Sequence, residues 1–187
     1  MDIKKFVPEL SHSGSKINAK EEGNKLLLET NGYNKSRVTL NRHIKPMNLF
    51  WFGLGLYEAE KSKNVVQSDG RLMASKVAFT NKDPKVIRTI IEAFEIMGIE
   101  KCMWKGEIEA NINHINKTMF EKQAPKYWSE QTGIPEDRLK HFKYDKRKPK
   151  NYVKKYTNKF LGIITIYQYN LCLKSFIDSF IKNIPLS

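Results

Sequence analysis

Two carboxylates, Glu58 and Glu60, stand one residue apart directly after an apolar run in the stretch "MNLFWFGLGLYEAEKSK", residues 47–63. Carboxylate oxygens are the hard donors that Mg²⁺ prefers. A Mg²⁺ so held activates water and stabilises charge on a phosphate. If residues 49–60 form a helix, however, both acids fall at its C-terminal end, where the backbone dipole favours a cation. Gly55 and Ala59 are four apart on one face of that helix, and small residues at that spacing let a second helix backbone come close. Gly53 and Gly55 each cost a helix roughly 0.5–1 kcal/mol relative to alanine, so the sequence is expected to use the space. Two copies of the helix meeting through Phe52, Gly55, Leu56 and Ala59 would bring two Glu60 carboxylates together. Like charges that close need a cation between them. On composition alone the plainer reading leads: solvated acids, neutralised locally by Lys61 and Lys63.

The elements that would position these residues can be read along the chain. The first helix starts near Pro46–Asn48, with Asn48 as its N-cap, and runs to Glu60. "NVVQSDGRLMASKVAFT" then reads as two strands folded at Ser68-Asp69-Gly70. In "NKDPKVIRTIIEAFEIMG", Asp83 is placed to cap, Pro84 suits the first helical position and Gly98 follows the end. Val86, Ile87, Ile90, Ile91, Phe94 and Met97 give that helix an apolar face. "KGEIEANIN" (105–113) alternates like a strand. Residues 117–132 are helical in pattern, with a kink or break expected at Pro125. "FLGIITIYQ" (160–168) reads as a buried strand, and "NLCLKSFIDSFIKNI" (170–184) as a closing amphipathic helix. The order is α-β-β-α-β-α-β-α, with room for an extra strand at "HFKYD". The class is α+β. Residues 1–45 read as a polar extension whose order stays open, with a hairpin around Asn31-Gly32, and residues 46–187 as the main domain.

Lys and Arg number 33 against 20 Asp and Glu, a net charge of +13. That imbalance points to a polyanionic partner, nucleic acid or an anionic membrane surface. Cys102 and Cys172 form no CxxC pair, which argues against a disulfide framework or structural zinc and for a reducing, intracellular, cytoplasmic setting. The longest apolar run, about eleven residues, falls short of the roughly 20 that span a bilayer.

Positive charge concentrates in "RLKHFKYDKRKPKNYVKKYTNK" (138–159), where Lys143, Lys146, Arg147, Lys148, Lys150 and Lys159 are interleaved with Phe142, Tyr144, Tyr152 and Tyr156. Phosphate contact suits such a run and would weaken steeply with salt; a solvated face is the alternative. Lys82, Lys85 and Arg88 add charge at a helix N-terminus, where an anion is attracted. Gln67, Arg71, Ser75 and Lys76 lie on the first hairpin, and a two-stranded ribbon fits a major groove. The four histidines show no ligand spacing. Trp51, Trp104 and Trp128 read as core.

The segment "GLGLYEAEKS" resembles the LAGLIDADG motif of homing endonucleases, in a single-motif form with Glu at both acidic positions. Gly55, Leu56, Tyr57, Glu58, Ala59 and Glu60 match its G-L-I-D-A-D. The hairpin and "FTNKDPKVIRTIIEAFEIMGI" extend the similarity over about residues 46–184. The resemblance implies an αββαββα core with a curved antiparallel sheet and helices on one face. It implies a homodimer that cuts double-stranded DNA at a specific site using Mg²⁺. Glu60 then corresponds to the metal-binding acid, with the Ala59 carbonyl as a second ligand. Asn81 falls where a polar residue attends the attacking water, and Lys85 where a basic residue supports the site. The family's catalytic lysine is left among Lys143, Lys146 and Lys159. The hairpin residues Gln67, Arg71, Ser75 and Lys76 fall where base edges are read. Lys61 replaces the motif's closing glycine, which raises an alternative: a non-cleaving nucleic-acid-binding protein, a splicing or transcription factor, on the same fold.

Overall fold

Asp83 and Pro84 begin the most locally determined element of the computed structural model, which describes residues 1–31, 35–62, 76–146 and 161–184. The Asp83 side chain accepts from the Lys85 N–H, and Pro84 takes the first helical position. Four helices lie among the described residues: α1 (Asn48–Glu60), α2 (Pro84–Ile96), α3 (Lys117–Thr132) and α4 (Leu171–Asn183). The strands are β1 (Ile17–Glu22), β2 (Lys25–Thr30), β3 (Ser36–Asn41), β4 (Lys76–Asn81), β5 (Lys105–Asn111), β6 (His141–Asp145) and β7 (Ile163–Tyr169). They form a three-stranded antiparallel sheet, β1-β2-β3, and a four-stranded sheet, β4-β7-β5-β6. The class is α+β, as the patterning implies.

Three local expectations need correction. The four-stranded sheet is mixed, because β6, the "HFKYD" strand, pairs parallel to β5. A parallel neighbour needs a long crossover, which the chain supplies through α3. That helix runs unbroken through the buried Pro125. The N-cap of α1 is Met47, without a side-chain cap, and Asn48 is already helical. The strand expected before β4 and its turn at Ser68-Asp69-Gly70 lie outside the described residues.

Residues 1–45 are built into the fold. Strands β2 and β3 pair in register from Lys25–Asn41 to Thr30–Ser36, which is the expected hairpin; Gly32 of its turn lies outside the described residues. Leu26, Leu28, Val38, Leu40 and Ile44 join the same buried core as α4. Phe6 meets Phe180 edge to face at 4.7 Å. At the other side, the Asn41 N–H and side-chain amide donate to the carbonyls of Met97 and Ile96. This satisfies the exposed C-terminal end of α2. Gly98 turns the chain there at φ +94°, and a Cβ on it would meet the Asn41 nitrogen at 2.9 Å.

The large sheet has one packed face. Register puts Val77 and Phe79, Ile108 and Ala110, and Ile164 and Ile166 on the same side, and all are buried. On that side Phe79 and Trp104 close a ring of edge-to-face contacts with Tyr57 of α1 and Phe94 of α2, at centroid distances of 5.1–6.1 Å. Such pairs add about 0.5–1.5 kcal/mol each beyond their burial, so α1 and α2 are fixed to β4. The opposite side carries Lys76, Thr80, Lys105, Glu107, Glu109, Lys143, Thr165 and Tyr169.

Candidate metal and nucleic-acid site

The two glycines of α1 face different ways. A Cβ on Gly53 would lie 2.5 Å from the Ala93 Cβ and 2.7 Å from the Thr89 carbonyl oxygen, so Gly53 lets α2 pack closely within the chain. A Cβ on Gly55 would meet nothing within 4 Å. Around it, α1 leaves Leu49 40%, Trp51 38% and Phe52 62% exposed, with Ala59 also exposed and Leu56 half-buried. Trp51 is therefore a surface residue, while Trp104 and Trp128 are core, as expected. A helix apolar on both sides asks for cover on both, and the described residues supply it on one.

Glu60 ends this helix half-buried, and no described residue engages its carboxylate. Lys61 turns instead to Glu58, with its ammonium 2.6–2.7 Å from the carboxylate oxygens. Its backbone is ordinary extended chain, φ −61° and ψ 141°. The position therefore demands no glycine, and the lysine neither strains the turn nor occupies Glu60. After it the chain pairs with β4: Lys61 bridges to Phe79 and the Ser62 N–H donates to the Ala78 carbonyl. Strand β4 ends at Asn81, from which the chain enters α2 and reaches Lys85. Glu60, Asn81 and Lys85 thus share one end of the α1–α2 pair. The Asn81 side-chain oxygen Oδ1 accepts from the Asp83 N–H at 2.8 Å, which leaves its side-chain amide nitrogen for other work. The Lys85 side chain is exposed.

Among the described residues, no three His, Cys, Asp or Glu side chains converge. One chain offers a metal the Glu60 carboxylate and, from the exposed last turn, the Ala59 carbonyl. These are hard oxygen donors of the kind Mg²⁺ takes, and a second copy would double them. The donor set fits the ion on that condition.

The phosphate candidates are scattered. Lys76 is half-buried on the helix-free side of the sheet, and Lys146 is exposed beyond β6. Lys143 donates to Glu109 across the parallel pair at 2.8 Å, so its charge is largely offset. Lys82 lines a cavity of about 400 Å³ with Asp83, Pro84, Tyr127, Trp128, Leu161 and Gly162. Gln67, Arg71, Ser75, Arg147, Lys148, Lys150 and Lys159 lie outside the described residues. No helix among the described residues is long and apolar enough to cross a membrane.

Residue typing alone misses a charged cluster at the back of α1. Lys174, 2% exposed, donates to Asp178 at 2.8 Å, and His12 Nε2 lies 2.8 Å from the other oxygen of that carboxylate. The His12 N–H also donates to the Ser175 hydroxyl. Burial alone would raise the Asp178 carboxyl, but hydrogen bonds from His12 and Lys174, with their charges, outweigh it and hold the group below its usual range. The Tyr57 phenol is driven well up by its own burial, with the Asp178 and Glu58 charges adding to the effect. The available signal was an opposite-charge pair four apart inside the apolar run of α4. Comparison with protein-family models, curated proteins and solved structures returned no match for this chain.

Proposed function

We propose that the chain is a single-motif LAGLIDADG-type protein which dimerises through α1 and acts as a site-specific, metal-dependent endonuclease on double-stranded DNA. The observation that carries this reading is the apolar side of α1 that no described residue covers, open at Gly55, ending at a Glu60 that no described residue engages. The described order α1, β4, α2, β5, α3, β6, β7, α4 departs from the implied αββαββα core, because α3 stands between β5 and the strands that follow; only the α+β class and the α1–β4–α2 succession support the reading. The net charge of +13 suits a polyanion. In the dimer, Glu60 and the Ala59 carbonyl of each copy would hold Mg²⁺, which when bound supplies Lewis-acid stabilisation of charge at a phosphate and an activated water. Asn81 would orient that water through its amide nitrogen, Lys85 would add positive charge, and the helix-free side of the sheet would lie along the DNA.

One observation favours the non-cleaving alternative: the Asn81 side-chain oxygen is already spent on the turn into α2. The test is a Mn²⁺ titration of the full chain, followed by calorimetry, beside Mg²⁺-dependent cleavage of a plasmid library. Metal uptake by the dimer that is lost in Glu60→Gln, with cutting lost as well, is expected. DNA binding with neither metal uptake nor cutting would overturn the nuclease in favour of a binding protein.

A further inference from the structure

On the helix-free side of the large sheet, Tyr169 is 67% exposed at the end of β7. Its ring is propped edge to face by Tyr167, with centroids 5.5 Å apart and planes at 71°. Lys76 pairs directly opposite Tyr169 across the antiparallel ladder. Its ammonium lies 4.4 Å from the Tyr167 centroid and 5.6 Å from that of Tyr169. Lys105 is opposite Tyr167 on the other side. Among the described residues no carboxylate pairs with Lys76, so its charge is held by the rings and turned toward the open side. We propose that Tyr169, with Lys76 beside it, is a stacking platform for an unpaired nucleobase of a bound nucleic-acid strand.

Charge complementarity selects the occupant. A flat, exposed aromatic ring next to an ammonium that no described carboxylate pairs with, on a chain of net charge +13, fits a ligand with a planar face and an adjoining anion. A nucleotide is that ligand. The base must be unpaired, because in a duplex its faces are already stacked on its neighbours. The tyrosines of β7 are three-way neighbours of Lys76 through register alone, so this platform is a property of the sheet and does not depend on α1 dimerising. The inference rests on the nucleic-acid reading above and adds to it a base-stacking contact at Tyr169.

The test uses the full chain without divalent metal and two labelled probes, oligothymidine and a fully paired duplex of mixed sequence, with binding followed by fluorescence anisotropy. Tyr169→Ala is expected to weaken oligothymidine binding about tenfold, the scale of one lost base–aromatic stack. Duplex binding should stay within about twofold, since phosphate contacts dominate it. Tyr169→Phe should keep wild-type affinity, because the ring and not the hydroxyl does the stacking. Lys76→Gln should lower the salt slope for oligothymidine by about one. Oligothymidine affinity unchanged in Tyr169→Ala, or lost equally in Tyr169→Phe, would overturn the platform while leaving duplex binding and the nuclease reading intact. Failure of the wild-type chain to bind either probe would overturn both.

Discussion

Gly53 and Gly55 provide a paired experiment in which the same kind of substitution should act in opposite directions. Relative to a good helix former, a helical glycine costs up to about 1 kcal/mol in intrinsic propensity. At Gly55 a new Cβ meets no described residue within 4 Å, so Gly55→Gln should realise most of that gain. Measured at a dilution where the chain is monomeric, its Tm should rise by about 2–3 °C. At Gly53 the new Cβ would press on the Ala93 Cβ at 2.5 Å and on backbone at Thr89 at 2.7 Å. Overpacking of that kind costs about 1–3 kcal/mol, which cancels or exceeds the propensity gain. Gly53→Ala should therefore lower Tm by up to about 6 °C. Gly55→Gln also places a side chain where a second α1 would have to approach. Its self-association should weaken by at least about tenfold, or ~1.4 kcal/mol. Sedimentation velocity over a dilution series reads the association, and scanning fluorimetry at the lowest concentration reads the fold. Self-association unchanged by Gly55→Gln would refute the seam through α1. A Tm raised by Gly53→Ala would refute the close α1–α2 approach on which the placement of Glu60 depends.

Two further outcomes follow from the charged groups around this helix. Asp178→Asn would leave the 2%-exposed Lys174 without a carboxylate, and one-sided removal of a buried pair costs about 3–5 kcal/mol; Lys174→Met, which leaves Asp178 its His12 partner, should cost less, and urea denaturation compares them. A loss below about 1 kcal/mol in Asp178→Asn would mean that Lys174 is solvated. Because the Asp178 carboxyl sits below its usual value, the stability it contributes is complete above its unfolded pKa, about 4. It is lost as pH falls through the lowered native value, so the gap between wild type and Asp178→Asn should close in acid and stay constant from pH 5 to neutrality. Lys61→Gly, which restores the motif's glycine, should destabilise by about 0.5–1 kcal/mol through chain entropy, with a smaller further loss from the partly exposed Glu58 pair. A gain in Tm would show that the end of α1 needs a left-handed residue after all.

What could be read from the chain in advance divides along sequence separation. Helix α2 was legible throughout because its determinants are local: Asp83, Pro84 and Gly98 act within a turn of where they stand, and its apolar face repeats with helical period. The β2–β3 hairpin and "HFKYD" were legible for the same reason. The direction of β6 was not, because a strand's own residues do not encode whether its neighbour runs parallel. That follows from the α3 crossover, whose continuity through Pro125 rests on tertiary burial overriding the lost hydrogen bond. Residues 1–45 look polar because one side of their small sheet supplies most of its buried residues; Leu26, Leu28, Val38 and Leu40 are few but all face the core, with Leu27 buried on the other side. The candidate site divides in the same way. The spacing of Gly55, Ala59 and Glu60 on one helix follows from the period of 3.6. By contrast, the partner of Lys143 is a carboxylate 34 positions away, and that of Asp178 is a histidine 166 positions away. Lys143, read as a phosphate contact, has Glu109 set beside it by the β5–β6 register. Lys61, which replaces the motif's closing glycine, has its ammonium carried back to Glu58 by the turn. Both cases concern charge, and charge is where composition says least: a lysine's value to a site depends on which acid the fold puts within reach. By that criterion Lys76, held over two tyrosines with no described acid against it, is a better phosphate contact than Lys143, whose ammonium is paired with Glu109.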